Sequence, residues 1–277
     1  RGVEALAYAA AAMSDVPAEA LWERRFGSAS IRLRKRYRLV PRGVAVCFAC
    51  ATFPTWNAYP AMLASLATGN AVIVKPHPTG ILPMALAVRT CREVLAEAGF
   101  PPDLVTLCVD SAEDPLGKRL VRHPHAAIVD FTGSARFGAW VEENAWPALC
   151  FSETSGCNTV VVESVEALEP LLKSLATTMS LFSAQMCTSP QNVYVPRDGI
   201  RCGDSRVSPE EFGAALAAAM DGIANDARRA GPILAAVQSP ATLAMLDQLE
   251  SDGARRGRVL RGSRPYAHPE FPQARTR

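Results

Sequence analysis

Residues 71–76, Ala-Val-Ile-Val-Lys-Pro, form an apolar, β-branched run that ends in a lysine and is closed by a proline. Such a run is a strand. The next residues repeat the pattern. Thr79 can cap a helix from Gly80 to about Ala98, which Gly99 ends and Pro101-Pro102 follow. Leu104-Val-Thr-Leu-Cys-Val109 is the next strand, Pro115–Arg122 the next helix and Ala126-Ala-Ile-Val-Asp130 the strand after that. Upstream, Val44-Ala-Val-Cys-Phe-Ala-Cys50 reads as a buried strand, and Ala61 to Ala67 as a short helix closing at Gly69-Asn70. Strands alternating with helices across short connections require right-handed βαβ units and a parallel sheet, so the fold class is α/β.

Outward from this block the signals thin. Residues 2–13 are Ala-rich and helical. Ile31, Leu33, Tyr37 and Leu39 alternate with Arg32, Arg34, Arg36 and Arg38, as in a strand with one basic face. That face either holds a polyanion or blunts a sheet edge, and the second is the more economical reading. Downstream, Leu149 to Glu153, Thr159–Val162 and Gln191–Val195 read as strands, and Val165 to about Phe182 as a helix. Ser208-Pro-Glu-Glu opens a helix to about Met220, and Ala241–Glu250 is the last one. The Arg/Gly-rich stretch Arg255–Arg264 is assigned to no element.

Composition narrows the function class. At 277 residues with 49% hydrophobic content, the chain is globular and can bury a substantial core. A net charge of +2 gives no strong pull toward nucleic acid or anionic lipid. No apolar run is long enough to span a bilayer. The eight cysteines lie mostly inside apolar stretches, which suits reduced thiols in a cytoplasmic protein. No metal site is expected: Cys47-Phe-Ala-Cys50 has no second pair, and His123-Pro-His125 has no third ligand. The absence of a starting Met and of any obvious tail reads as a fragment of a longer protein.

Four places carry possible chemistry, each with a bland alternative. Asn57, in the loop Phe53-Pro-Thr-Trp-Asn57-Ala-Tyr-Pro60 after a strand, is an amide donor or a turn residue. Gly133-Ser134 with Gly138, at a strand-to-helix turn, is a phosphate-facing turn or a plain one. It matches neither the dinucleotide fingerprint nor the phosphate-loop motif. Glu153 ends an apolar strand, where burial would suit it to general base work; otherwise it is a salt-bridged carboxylate. Cys187, in Leu181-Phe-Ser-Ala-Gln-Met-Cys187-Thr-Ser-Pro190, is a nucleophile met by backbone N–H groups or a small packed hydrophobe.

Taken in order, these pieces resemble the aldehyde dehydrogenase superfamily from about Arg38 to Pro196. The landmarks are Pro54-Thr-Trp-Asn57, Thr68-Gly-Asn70 with Val74-Lys75-Pro76, Phe131-Thr-Gly-Ser134 with Gly138, Glu153-x-x-Gly156 and Gln185-x-Cys187. Residues 53–57, 65–70, 74–78 and 185–199 are further similar to the phenylacetic acid degradation proteins of the N type, a branch of that superfamily. The resemblance implies a Rossmann-type parallel sheet with helices on both faces, plus part of a second α/β catalytic domain. It puts most of a cofactor-binding domain in residues 1–153 and a truncated catalytic domain in 154–277.

The resemblance also implies roles for single residues. Cys187 attacks an aldehyde carbon, Asn57 and the Cys187 N–H hold the oxyanion, and Glu153 activates the water that hydrolyses the thioester. Trp56, Lys75, Gly133, Ser134 and Gly138 bind the dinucleotide, with Lys75 at the adenosine ribose. The implied substrate is a ring-opened, coenzyme-A-linked semialdehyde, and the implied whole protein a homo-oligomer.

Departures matter as well. Where the family often has a ribose-binding Glu after the lysine, this chain has Pro78 with His77 beside it, which favours NADP over NAD. The supporting residues around Glu153 are Thr154, Ser155 and Cys157 in place of the usual Leu, Gly and Lys, and Ala184 stands where a glycine is expected. The resemblance also implies a Glu-x-Phe motif about a hundred residues past the cysteine, farther than the 90 residues that follow it here. Two alternatives stand beside the main reading: a coenzyme-A-acylating enzyme, against which Glu153 argues, and a truncated chain that binds cofactor without turnover.

Overall fold

The structure is a computed structural model that describes residues 1–237, 239–267 and 270. The chain divides into two compact units, Arg1–Thr154 and Ser155–Arg277.

In the first unit, five apolar runs pair as a fully parallel sheet. They are β3 (Val44–Ala49), β4 (Ala71–Pro76), β5 (Val105–Leu107), β6 (Ala126–Gly133) and β7 (Leu149–Thr154), in the order β5-β4-β3-β6-β7. Helices α2 (Pro54–Ala67) and α3 (Ile81–Glu97) cover one face, where Ala58, Met62, Met84 and Val88 pack on Ala45, Cys47, Val72 and Val74. Helices α4 (Gly117–Val121) and α5 (Ala135–Asn144) lie on the other, with Val121 and Val141 against Val46, Phe48, Val129 and Phe131. Because the chain runs outward through β4 and β5 and then restarts at β6 on the far side of β3, the strand order reverses between β3 and β6. Open α/β sheets bind ligands at the carboxyl ends of the strands beside such a reversal.

The βαβ expectation therefore holds, with one local correction. Residues 54–60 are helix, not loop: α2 begins at Pro54, and Pro60 lies inside it. Pro54 suits a first helical position, where its missing N–H would have had no acceptor. Asn57 thus sits in the opening turn of α2. The Thr68-Gly69-Asn70 landmark has a structural explanation. Gly69 takes φ +82°, and buried Asn70 accepts from Arg42 N (2.8 Å) and Gly43 N (3.1 Å) while donating to Thr68 Oγ1 (2.9 Å) and Ser65 O (3.3 Å). One side chain fixes the entries to both β3 and β4.

Ahead of the sheet come α1 (Gly2–Ser14) and an antiparallel hairpin of β1 (Glu19–Phe26) and β2 (Ala29–Arg36). The arginines of β2 meet acids of β1: Arg32 with Glu23 (3.2 Å), and Arg34 and Arg36 with Glu19 (3.1 and 3.8 Å).

The second unit pairs β8 (Asn158–Val161) in parallel with β10 (Pro190–Tyr194). Separately, β9 (Ser164–Val165), β11 (Ile200–Cys202) and β12 (Ser205–Val207) form a small sheet. Helices α6 (Leu168–Ser180) and α7 (Pro209–Ala224) supply Leu172, Leu175 and Phe212 to a core with Val162 and Ile200. Ser208 and Glu211 form the expected start of α7 as a reciprocal capping box. Then come α8 (Ala227–Ile233) and α9 (Pro240–Arg256). Part of the unassigned Arg/Gly-rich stretch is tied back to α7, with Arg261 Nε 2.8 Å from Asp221 Oδ1. No helix among the described residues is long and apolar enough to cross a membrane.

Candidate active site

Helix α6 stops at Ser180, and the chain then makes a turn that L-residues rarely adopt. Phe182, Ser183 and Ala184 have φ of 52°, 54° and 58°. Each such residue costs about 1–2 kcal/mol, so neighbouring bonds must hold the turn. They come from the last residue of α8 and the segment after it. Phe182 N donates to Ile233 O (2.7 Å), Ser183 Oγ donates to Ala235 O (2.9 Å) and accepts from Ala235 N (3.2 Å), and Gln185 Nε2 donates to Ala236 O (3.0 Å). Cys187 follows as a free, half-buried thiol. Its own carbonyl accepts from Asn158 Nδ2 at 2.7 Å, and the same amide reaches Ser189 O at 3.2 Å. The cysteine backbone is thus pinned from the first residue of β8.

The first unit gathers the other sequence-derived candidates at the carboxyl ends of its sheet. Asn57 is half-buried, and its Nδ2 donates to Cys50 Sγ at 3.4 Å, as does Phe53 N. Trp56 is exposed, with the Arg1 guanidinium 5.6 Å from its ring centre. Gly133 ends β6, and Ser134 caps α5 by accepting from Phe137 N. A Cβ on Gly133 would stand 2.6 Å from the Phe131 ring, and one on Gly138 only 2.4 Å from Thr154 Cγ2. Both glycines are therefore required by packing, whatever they bind.

Lys75 is not free. Its Nζ lies 2.6 Å from Asp110 Oδ1, in a pair whose side chains are 12% and 1% exposed. Neighbouring His77 accepts from Thr79 N through Nδ1 (3.2 Å), and burial, then the Lys75 charge, hold its pKa below the usual imidazole value against the opposing pull of Asp110.

The expectation of a buried Glu153 is corrected. β7 is an edge strand whose residues alternate between exposed and half-buried, and Glu153 falls on the exposed side. The carboxylate of this region with a raised pKa is the half-buried Asp130, pushed up to about 6 by burial and by the Glu153 charge. Asp110, Asn158, Cys50 and Ser183 were not singled out from the sequence. Only Asp110 left a trace there, as an acid just past a strand end, as Lys75 ends the strand beside it.

The sequence profile of the aldehyde dehydrogenase family matches residues 1–268. The chain belongs to the aldehyde dehydrogenase family. Its fold is similar to that of an NAD-dependent aldehyde dehydrogenase from Burkholderia multivorans, with TM-score 0.90 and 43% identity over 99% of this chain and 49% of that one. An NADP-dependent glyceraldehyde-3-phosphate dehydrogenase from Bacillus halodurans shares the fold at TM-score 0.68 and 20% identity, over 96% of this chain and 53% of its own. A 1-pyrroline-5-carboxylate dehydrogenase of Bacillus cereus is 31% identical over 171 residues, 59% of this chain and 32% of that protein. The chain thus spans about half the length of the solved aldehyde dehydrogenases and matches a third of the curated relative.

Proposed function

We propose that the protein oxidises an aldehyde to a carboxylic acid with NAD or NADP, through a thioester on Cys187. What carries the reading is Cys187 itself: a free, half-buried thiol in this family's sequence setting, with its main chain held by Asn158. The first unit suits a dinucleotide. The first-turn N–H groups of α5 have no helical acceptor and favour an anion such as pyrophosphate. Lys75 has ammonium donors beyond the one facing Asp110 to offer a ribose.

The Cys187 thiol gives up its proton to solvent, its sulfur adds to the carbonyl carbon, and the carbonyl oxygen becomes an oxyanion. The Asn57 amide and the Cys187 N–H receive that charge, one such donor contributing roughly 3–4 kcal/mol. When bound, the nicotinamide supplies the acceptor for the hydride lost from the thiohemiacetal carbon. Glu153 takes the proton of a water that attacks the thioester carbon, which breaks the C–S bond, releases the acid and frees Cys187. Exposure leaves Glu153 open to exchange protons with solvent between turnovers.

For the substrate we infer a ring-opened, coenzyme-A-linked semialdehyde, supported by the similarity of residues 53–57, 65–70, 74–78 and 185–199 to the phenylacetic acid degradation branch. The same similarity supports a cytoplasmic, homo-oligomeric whole protein.

The test follows reduced cofactor by absorbance with semialdehydes and either dinucleotide. Cys187→Ser should fall to background, and Glu153→Gln should keep a first turnover while losing acid release. No signal from the unaltered protein with any aldehyde would sink the dehydrogenase reading. A requirement for free coenzyme A would select the acylating alternative.

A further inference from the structure

We propose that Asp110 is a positioning residue that biases the protein toward the dinucleotide without a 2′-phosphate, by holding the Lys75 ammonium in a neutral pair. The inference rests on the cofactor reading above. It starts from the topology. β4 and β5 are adjacent parallel strands whose last register pair is Val74 with Leu107, and Lys75 and Asp110 both lie just past it, at the same sheet end.

Two ties fix the pair. Asp110 Oδ2 accepts from Leu116 N at 2.9 Å, so the backbone at the start of α4 orients the carboxylate. Oδ1 then stands 2.6 Å from Lys75 Nζ, as an ion pair and not an aligned hydrogen bond. With these side chains 12% and 1% exposed, solvent screens the attraction far less than at a surface pair. The ammonium is therefore placed by Asp110, and its charge is already matched.

The two dinucleotides ask different things of that ammonium. A ribose diol needs donors at a defined place, and two of the three ammonium donors remain for it. A 2′-phosphate needs an uncompensated positive charge, and it also meets repulsion from a nearby carboxylate. His77 cannot make up the difference. Its Nδ1 is occupied in accepting the Thr79 N–H, and burial and the Lys75 charge both disfavour its protonation. Pro78 in place of the family's acid therefore does not open the site to a 2′-phosphate, because a carboxylate arrives from the next strand. On this proposal the preference is for NAD, opposite to the one expected from the sequence.

Asp110→Asn separates the possibilities, since the amide oxygen still accepts from Leu116 N while the charge is gone. The measurement is calorimetric binding of ADP-ribose and of its 2′-phosphate derivative to this chain, which needs no turnover. The unaltered protein should bind ADP-ribose more tightly. Asp110→Asn should shift the ratio of the two affinities about tenfold toward the phosphorylated ligand, as freeing one partly buried charge predicts. Adding Lys75→Met should erase the shift. Tighter binding of the 2′-phosphate form by the unaltered protein overturns the inference without any variant. Parallel weakening of both ligands in Asp110→Asn, or an unchanged ratio, also overturns it by reducing Asp110 to a structural role. Binding of neither ligand by the unaltered protein overturns the cofactor reading itself, and the inference with it.

Discussion

An amide proposed to hold an oxyanion must be aimed before the substrate arrives, and the Asn57 amide is held by a thiol. Cys50 Sγ, buried at the end of β3, receives both the Asn57 Nδ2 and the Phe53 N–H. Cys50→Ala removes the acceptor and lets the amide rotate. Turnover should fall about tenfold with little change in KM, short of the 10²–10³ for losing such a donor outright. Cys50→Ser, which keeps an acceptor, should retain more activity, and steady-state kinetics beside Asn57→Ala would measure the order. Asn158 holds the main chain of Cys187, the proposed nucleophile, in the same manner. Its amide donates to two carbonyls, so Asn158→Ala should cost roughly 1–3 kcal/mol in unfolding free energy. Asn158→Asp should be worse still, because it sets carboxylate oxygens against carbonyl oxygens. Urea titration gives the ranking, and the alkylation rate of Cys187 by peptide mapping reports whether the thiol has shifted.

At the level of elements, the turn ahead of Cys187 is the costly piece. Ala184 is exposed and left-handed, so its Cβ contributes strain and little packing. Ala184→Gly should stabilise the protein by about 0.5–1 kcal/mol, the relief being partly offset by glycine's greater freedom when unfolded. A higher urea midpoint at unchanged slope would confirm it, and a lower one would mean that the turn is not strained in solution. Nothing local announces this turn, because Phe182, Ser183 and Ala184 are poor left-handed residues, and what holds them is residues 233–236, far along the chain. The same contrast runs through the fold. The strands of the parallel sheet were legible because each is an apolar run with its own stop signal. The hairpin strand β1 was not: its residues are almost all exposed, and its pairing with β2 rests on cross-strand partners such as Glu23 and Arg32. The short β11, β12 and α8 carry too few residues for a period to show. Among site residues, Cys187 and the glycine turn were legible as motifs, whereas Asp110 is defined by a neighbour on another strand. The burial of Glu153 was misjudged because an apolar run does not tell an edge strand from a central one.

At the scale of the whole molecule, stability should carry the mark of one misplaced charge. Asp130 lies opposite Cys47 on the face of the sheet that α2 and α3 cover, and both groups respond. Burial, then the Asp130 charge, push the Cys47 thiol up, while burial, then the Glu153 charge, raise Asp130 from 3.8 to about 6. Below 3.8 the carboxyl is protonated folded or unfolded and costs nothing. Between 3.8 and about 6 the unfolded chain releases this proton while the folded one keeps it, so the group's contribution worsens as pH rises. Above that window the penalty is constant, at about 3 kcal/mol for a shift of that size. Asp130→Asn removes the ionisation, so its advantage over the unaltered protein should be near zero at pH 4, grow through pH 5 and level off above pH 7. Urea titrations of the two proteins across that range read the difference directly, because effects of the carboxylates that do not interact with Asp130 cancel between them. A difference that stays flat with pH would mean that water reaches Asp130 in the folded state. A difference of opposite slope would mean that Asp130 meets a positive partner and is stabilising as the anion.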